Sequence, residues 1–465
     1  MNPRFTLPVR WRVFGAAVAL LFAVAIWLRL TAPPARPPAR PSSPRSIAVL
    51  PFMNASPDSA FDYLGEGIGG DLTGILGRIP GLRVAGARSA AAAAGEDPVS
   101  IGRRLRVGAV LLGTIRPVSD RLRLSVHLVS VDGGFDIWSE AYERTVANLF
   151  GVERDIVTEI VAALRLRDGP RAPAPDPPAL RAAPGAHEAT LEGRFRLGRA
   201  APGATEYAAA GFERAIALDS SYAPAWAGAA DTYLRDFLSE SSPPEDAIPR
   251  ARRAADRAIA LDSTMAEPRI ARAVIRLLHD REPAKAGADL DRAVEINPNL
   301  PEAWDWQAHR WLALGRTDSA VAAARRAVEI SPLDALVRAH LGWQYRLAGQ
   351  DSLADLAFAR AAALDSLLPS PSSLLASPFS LLPLSYDSLL AATKERYVSP
   401  YTLAVAAVAS GKTTEALAAF ARALAERTPW MIYAHFDPRL APLRGNRRFE
   451  ALLARLPQTT IPTRP

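Results

Sequence analysis

The chain has 465 residues, 49% hydrophobic and 22% charged, which is enough for two or three folded domains and too apolar for wholesale disorder. Its formal net charge is +7, but 55 basic residues are interleaved with 48 acidic ones, so no nucleic-acid partner is expected. Cysteine is absent, which excludes thiol nucleophiles, cysteine-based zinc sites and disulfides.

An uncharged apolar run, residues 13–28, follows the first twelve residues. As a helix, this run would be about 24 Å long, and the flanking Arg12 and Arg29 extend it toward a hydrocarbon core of about 30 Å. A cleaved signal peptide is the alternative, but large residues and Arg29 stand where a small-residue cleavage site is expected. We predict a transmembrane signal anchor over residues 13–30 behind a short cytoplasmic tail, residues 1–12.

The orientation of this anchor is only weakly indicated by charge. Three arginines precede the run and four follow it before residue 46, so the positive-inside rule is nearly balanced. A short tail before a first span usually stays in the cytosol, so we expect an inner-membrane protein with a periplasmic body, a cytosolic body being the alternative. Residues 31–45 are proline-rich and predict an extended stalk.

Residues 46–167 alternate between strand and helix patterns. Apolar or alternating runs predict strands over residues 46–52, 82–85, 107–116, 121–131 and 136–144. Amphipathic spacing predicts helices over residues 65–79, 99–105 and 150–166. This order predicts a small mixed α/β domain.

One stretch of this domain, Gly65-Glu-Gly-Ile-Gly-Gly70, matches the G-x-G-x-x-G fingerprint of dinucleotide-binding folds. In those folds the first glycine follows its strand at once, whereas twelve residues separate Phe52 from Gly65. The acidic ribose partner expected about 20 residues further on is also missing. We therefore interpret these glycines as part of a helix packed tightly on the sheet, and we expect no cofactor.

Several motifs occur in order along residues 46–167: Ser46-Ile-Ala-Val-Leu-Pro-Phe-x-Asn-x-Ser-x-Asp58, Leu64-Gly-Glu-Gly67, Leu112-Gly-Thr-Ile-Arg116, Arg121-Leu-Arg-Leu124 and Ile137-Trp-Ser-Glu-x-Tyr142. With them the segment resembles the domain related to the N-terminal domain of TolB. That domain commonly stands before tetratricopeptide (TPR) repeats in bacterial signalling proteins, often behind a kinase, a nucleotide cyclase or a winged-helix domain. The resemblance implies an architecture and a signalling or envelope context rather than an activity.

After a second proline-rich linker, residues 168–186, one phrase recurs at steps of 43, 35, 34 and 34 residues. Its copies are Arg214-Ala-Ile-Ala-Leu-Asp219, Arg257-Ala-Ile-Ala-Leu-Asp262, Arg292-Ala-Val-Glu-Ile-Asn297, Arg326-Ala-Val-Glu-Ile-Ser331 and Arg360-Ala-Ala-Ala-Leu-Asp365. A 34-residue period is the TPR signature, so we predict a TPR solenoid over residues 187–366. The irregular segment 367–390 breaks the period, and residues 391–465 resemble a degenerate repeat pair with a C-terminal cap.

Solenoids of this kind bind peptides on a concave surface lined by the first helix of each repeat. Repeat position places eight residues on that surface, which we predict to be a partner groove: Asp231, Leu234, Ile275, Leu278, Asp305, His309, Trp343 and Arg346. The six histidines are dispersed, and no H-E-x-x-H, G-x-S-x-G, P-loop or kinase-loop pattern is present. We predict no catalytic residue, no metal ligand and no enzyme activity.

The predicted fold class is α/β plus all-α, with an N-terminal transmembrane helix, a small mixed α/β domain and a C-terminal TPR α-solenoid. The predicted function is a membrane-tethered scaffold for a protein or peptide partner. The alternative is a regulatory or sensory subunit acting on a separately encoded kinase, cyclase or transcription factor. A third option is small-molecule sensing by the α/β domain. The sequence does not define the oligomeric state.

Overall fold

The computed structural model describes residues 45–119, 121–145, 149–164, 182–183, 185–199, 203–364 and 385–456. The strands are Ser46–Val49 (β1), Met53–Asn54 (β2), Arg83–Val84 (β3), Ala109–Val118 (β4), Arg121–Ser130 (β5) and Asp136–Arg144 (β6). The helices beside them are Asp62–Gly77 (α1), Ala87–Ala92 (α2), Pro98–Leu105 (α3) and Leu149–Ala163 (α4).

The strands form one mixed sheet in the order β3-β1-β4-β5-β6, with β2 also pairing β4. Strand β1 is parallel to β3 and β4, whereas β4, β5 and β6 are antiparallel neighbours. Successive side chains of a strand point to opposite faces, so Ile47 and Val49 pack with α1 and α4, while Ala48 and Leu50 pack with α2 and α3. The sheet is therefore a central layer with helices on both faces.

Helical hairpins follow the sheet and stack in chain order as an array. Their helices are Ala186–Leu197 (α5), Ala204–Leu218 (α6), Ala223–Leu238 (α7), Pro244–Leu261 (α8), Glu267–Val274 (α9), Pro283–Ile296 (α10), Pro301–Ala313 (α11), Thr317–Ile330 (α12), Ala335–Leu347 (α13) and Asp351–Leu364 (α14). A π-helical turn, Ile275–His279, extends α9.

The array repeats at the period seen in the sequence. The first helices α9, α11 and α13 begin at residues 267, 301 and 335, which are 34 residues apart. Gly315 and Gly349 have φ values of 71° and 76° at the turn inside their hairpins, a conformation that glycine adopts at little cost. Arg281, at the equivalent position one repeat earlier, has a φ of 62°. The backbone turn thus recurs even where its glycine does not.

A C-terminal subdomain, residues 385–456, folds back onto the array. Its helices are Tyr386–Ala392 (α15), Pro400–Ala409 (α16), Thr413–Glu426 (α17) and Arg447–Leu453 (α18), with 3-10 turns at Pro429–Tyr433 and Pro438–Leu443. The two helices α16 and α17 form a further hairpin.

The predicted fold class is wrong in its first part. Across the ranges that the structure describes, no helix is both long and apolar enough to cross a membrane. Residues 13–30, on which the prediction rested, lie outside those ranges. The corrected class is a mostly helical chain with one small mixed sheet. The predicted single-pass inner-membrane location depended on the same run and is not supported either.

Candidate partner groove

The inner face of the array is the surface formed by the first helices α7, α9, α11 and α13. These helices contact one another in chain order, so equivalent repeat positions lie side by side. They carry the predicted groove as follows: Asp231 and Leu234 on α7, Ile275 and Leu278 on the π-helical turn after α9, Asp305 and His309 on α11, and Trp343 and Arg346 on α13.

The structure divides the predicted groove into a covered and an open part. The buried residues are Leu234, Ile275, Leu278, Asp305 and His309. The accessible ones are Asp231, Trp343 and Arg346. Asp231 pairs with Arg235 one helical turn later, at 3.2 Å. The Trp343 ring meets the ring of Phe358 edge-on, with 5.5 Å between the centroids.

The covered part lies under residues 429–434, which we call the groove segment. From Trp430 to Ala434, five consecutive apolar residues are each at most 6% exposed. The 3-10 turn that they form contacts the π-helical turn after α9. The segment shares one buried cluster with the three aliphatic residues of the predicted groove. The array thus holds a short piece of its own chain on its inner face.

Two polar contacts hold the aromatic side chains of the groove segment. The Trp430 Nε1–H donates to the backbone carbonyl of Leu238, at the end of α7, over 3.1 Å. The Tyr433 hydroxyl lies 2.8 Å from Nδ1 of His309 on α11. The Trp430 and Tyr433 rings are stacked, with 6.4 Å between their centroids. The segment therefore reaches from α7 to α11 with one aromatic anchor at each end.

A partly buried carboxylate ties the rest of the C-terminal subdomain to the array. Glu240, just after α7, accepts hydrogen bonds from Ser399 Oγ at 2.7 Å and from Thr402 Oγ1 at 2.6 Å. Burial raises the pKa of Glu240, although these hydroxyls favour its charged form. Behind the groove segment, the Tyr401 hydroxyl donates to Asp437 over 2.6 Å. These contacts position the segment from both sides.

Three ionisable side chains meet where the groove segment reaches α11, and we call Asp305, His309 and His340 the Asp–His cluster. Nδ1 of His340 lies 2.7 Å from Oδ2 of Asp305, and the two imidazole rings meet edge-on at 5.2 Å. Burial lowers the pKa of His309 to about 4. Burial also opposes the charge of His340, but the Asp305 carboxylate raises its pKa above the ordinary value. His309 is therefore neutral at pH 7.

Repeat position in the sequence indicates Asp305 and His309 as groove residues but does not indicate His340 or the groove segment. His340 stands one 34-residue repeat after Trp306, so superposing consecutive repeats would have placed it beside the other two side chains. The groove segment carries no periodic signal. The sequence signal of this segment is the apolar run from Trp430 to Ala434.

A second cluster joins the sheet domain to the first array helix. Asp71 on α1, Glu153 on α4 and His187 on α5 each place one ligand atom within 4.8 Å of the others. Asp71 is paired with Arg194, and Nδ1 of His187 lies 3.0 Å from the Tyr222 hydroxyl. A guanidinium is thus already paired with one carboxylate of this cluster. We interpret it as a structural junction.

The fold and the groove together define a class of protein. Hairpins at 34-residue spacing with a continuous inner face are repeats of the TPR type. Arrays of this class are extended scaffolds whose inner surfaces bind other proteins.

Known proteins are similar to this chain over part of its length. No protein-family model matches the chain. The putative adenylate cyclase 3 of Rhizobium meliloti (strain 1021) is 35% identical over 137 residues, which are 29% of this chain and 23% of that protein. The chain thus spans less than a quarter of the curated relative that it matches.

Similar solved structures include TPR proteins and a pilus biogenesis factor. A thermophilic TPR protein of Thermus thermophilus is 18% identical, covering 38% of this chain and 92% of that one, with a TM-score of 0.33. PilW, a type IV pilus biogenesis factor, is 17% identical over 55% and 98%, with a TM-score of 0.32. YrrB, a TPR protein with an unusual peptide-binding site, is 21% identical over 40% and 88%, with a TM-score of 0.28. TM-scores this low carry no functional inference.

Proposed function

We propose that this chain is a non-enzymatic scaffold whose repeat array binds a short apolar and aromatic segment of a protein partner on its inner face. One observation supports this proposal. The inner face already holds such a segment, because Trp430 and Tyr433 of the chain itself are 5% and 1% exposed there. Buried aromatic side chains that also make one hydrogen bond are typical anchors of protein interfaces.

The groove segment and a partner would compete for the same surface. A segment tethered to its own site acts at an effective concentration on the order of millimolar. A partner of micromolar intrinsic affinity therefore binds only when it outcompetes the segment. The open part of the groove, with Asp231, Trp343 and Arg346, offers a first contact that does not require displacement.

The proposal is tested with a fluorescent peptide that spans residues 427–437 and with the full-length chain. In the Trp430→Ala/Tyr433→Ala variant, the tethered segment loses both anchors. We expect this variant to bind the peptide at least about tenfold more tightly than the wild-type chain, because the competing segment is weakened. Fluorescence anisotropy measures both affinities.

Two controls make this result specific. A peptide in which both aromatic residues are alanine should not bind the variant. Met53→Ala changes an exposed residue of the sheet domain, 64% accessible, and should behave as the wild-type chain does. If the double variant keeps its helical circular dichroism but does not bind the peptide, the inner face is not a peptide site and the proposal fails.

A second candidate function is supported by the putative adenylate cyclase relative and by the resemblance of residues 46–167 to the domain related to the N-terminal domain of TolB. In this function the chain is a regulatory or sensory subunit of a separately encoded cyclase, kinase or transcription factor. The purified chain should then form no cyclic AMP from ATP, while its loss should change cyclic AMP levels in the source cells. Unchanged levels would argue against a cyclase partner.

A further inference from the structure

The Asp–His cluster combines side chains from two consecutive repeats. Asp305 and His309 are four residues apart on α11, so they lie on the same side of that helix. His340 comes from α13, the first helix of the next repeat. One nitrogen of each imidazole and one oxygen of the carboxylate lie within 4.8 Å of one another. This donor set belongs to the inner face and lies next to Tyr433 of the groove segment.

Two polar atoms of the cluster are left without a hydrogen-bond partner in the described part of the chain. They are Oδ1 of Asp305 and Nε2 of His309, whose residues are 6% and 8% exposed. A buried polar atom without a partner costs about 1–3 kcal/mol. The existing contacts, from His340 to Asp305 and from Tyr433 to His309, use other atoms of the same side chains. The cluster thus has unused ligand atoms.

The surrounding charges favour a cation. Arg88 of the sheet domain interacts electrostatically with the carboxylates of Glu302, Asp334, Asp231 and Asp305, and Asp231 also pairs with Arg235. The carboxylates near the cluster thus outnumber the guanidinium groups, which favours a bound cation.

Two imidazoles and one carboxylate are a donor set that suits zinc and other late first-row divalent ions. Donor atoms bound to one Zn²⁺ ion lie at most about 4 Å apart, twice the Zn–N distance of about 2.0–2.1 Å. Side-chain adjustments of about 1 Å bring the present donors to that spacing. The Asp71, Glu153 and His187 cluster has a comparable donor spacing, but there Asp71 is already paired directly with the Arg194 guanidinium.

We propose that Asp305, His309 and His340 bind one divalent transition-metal ion, with Zn²⁺ as its representative. The ion sits where the groove segment meets α11, so metal binding and docking of the C-terminal subdomain are coupled through the contact between His309 and Tyr433. This site adds a metal-dependent element to the inner face that the scaffold function does not require.

The test is titration of the untagged, EDTA-treated full-length chain with ZnCl₂ by isothermal calorimetry, with metal content measured by mass spectrometry. We expect one equivalent of Zn²⁺ per chain, and a loss of affinity on the order of 100-fold in His309→Ala and His340→Ala, as for removal of a ligand or its close support. Absence of stoichiometric binding, or equal affinity in wild type and both variants, overturns the proposal.

Three further variants locate the site. His187→Ala removes the histidine of the other cluster, and His127→Ala removes a half-exposed histidine of β5 that is paired with Asp136 at 2.9 Å. Both variants should keep the full Zn²⁺ affinity. Loss of binding in His187→Ala alone would place the metal ion at the other cluster and refute this assignment. Asp305→Asn keeps the shape of the side chain and should also weaken binding.

Folding of the variants is checked in the same experiment. Zn²⁺ should raise the Tm of the wild-type chain and of His127→Ala but not that of His340→Ala. The His340 side chain is 17% exposed, so its removal leaves a smaller buried gap than removal of His309. A metal-induced rise in Tm that persists in a folded His340→Ala variant contradicts the proposal.

Discussion

Gly65 lies where helix α1 crosses Phe52, in the link between β1 and β2. The Phe52 N–H donates to the Gly65 carbonyl over 3.0 Å, and a Cβ built on Gly65 would stand only 2.0 Å from the Phe52 carbonyl oxygen. Gly70 lies on the exposed side of the same helix, and a Cβ there would meet no heavy atom of the described chain within 4 Å. The glycines that resemble a phosphate-binding loop thus have different roles, and the first permits close helix–sheet packing.

We predict that Gly65→Ala lowers the free energy of unfolding by about 2–4 kcal/mol, because the backbone of Phe52 must move. Gly70→Ala, in the same helix, should raise it by roughly 0.5–1 kcal/mol, because alanine favours the helix and nothing opposes its methyl group. Urea unfolding of both variants measures the difference. Equal stability of the two variants would mean that the close approach at Gly65 imposes no constraint.

At the scale of elements, the loops between consecutive repeats dock the sheet domain. Asn299, between α10 and α11, donates from Nδ2 to the carbonyls of Gly77 at 3.0 Å and Leu82 at 2.9 Å, and its Oδ1 accepts from the Val84 N–H at 3.1 Å. One repeat later, at the position equivalent to Asn299, the Leu333 N–H donates to the Ser89 hydroxyl over 2.8 Å. The 34-residue period of the array is therefore also the spacing of its contacts with the sheet domain.

We predict that Asn299→Asp destabilises the protein by about 2–4 kcal/mol, because a carboxylate oxygen would face the two carbonyls that now receive hydrogen bonds. Asn446→Asp is the matched control. The Asn446 side chain accepts hydrogen bonds from the N–H groups of Arg448 and Phe449 at the start of α18, and a carboxylate can accept them equally well. The stability of this variant should therefore stay within about 0.5 kcal/mol of the wild-type value.

Hydrogen exchange with mass spectrometry localises the effect of this substitution. In Asn299→Asp, exchange should increase together in β3 and in the loop before α11, since one side chain connects them. An increase confined to the loop would show that the interface does not depend on Asn299.

At the scale of the whole molecule, the cluster of Asp71, Glu153 and His187 joins the sheet domain to the array. Burial, reinforced by the Asp71 carboxylate, raises the pKa of Glu153 to about 7, and His187 and Arg194 only partly oppose this rise. An unfolded glutamate has a pKa of about 4.3. The folded state thus binds more protons between these two pH values, so the free energy of unfolding falls as pH rises through that window.

We predict that Glu153→Gln removes this dependence. The variant should gain roughly 2–3 kcal/mol relative to the wild-type chain between pH 5 and pH 8, because the buried charge that forms on Glu153 is no longer created. Glu159→Gln, on the exposed side of the same helix, should follow the wild-type slope. Urea unfolding at intervals of one pH unit measures the three slopes, and parallel curves for Glu153→Gln and wild type would refute this assignment.

The sequence by itself determined the features that repeat or alternate locally. The 34-residue period and the alternation along β5 follow from helix and strand geometry, which neighbouring residues define. The membrane span predicted from composition over residues 13–30 is not supported by any helix of the described residues. The domain boundaries drawn from the sequence stay predictions.

Only the tertiary structure decided what the inner face contacts. Trp430 meets Leu238 across 192 residues, and Tyr433 meets His309 across 124 residues. His340 joins Asp305 from the next repeat. Such contacts depend on how distant segments pack, and no local period encodes them. They fill most of the predicted groove with the chain's own C-terminal segment and bring together the Asp–His cluster that the sequence shows only as scattered residues.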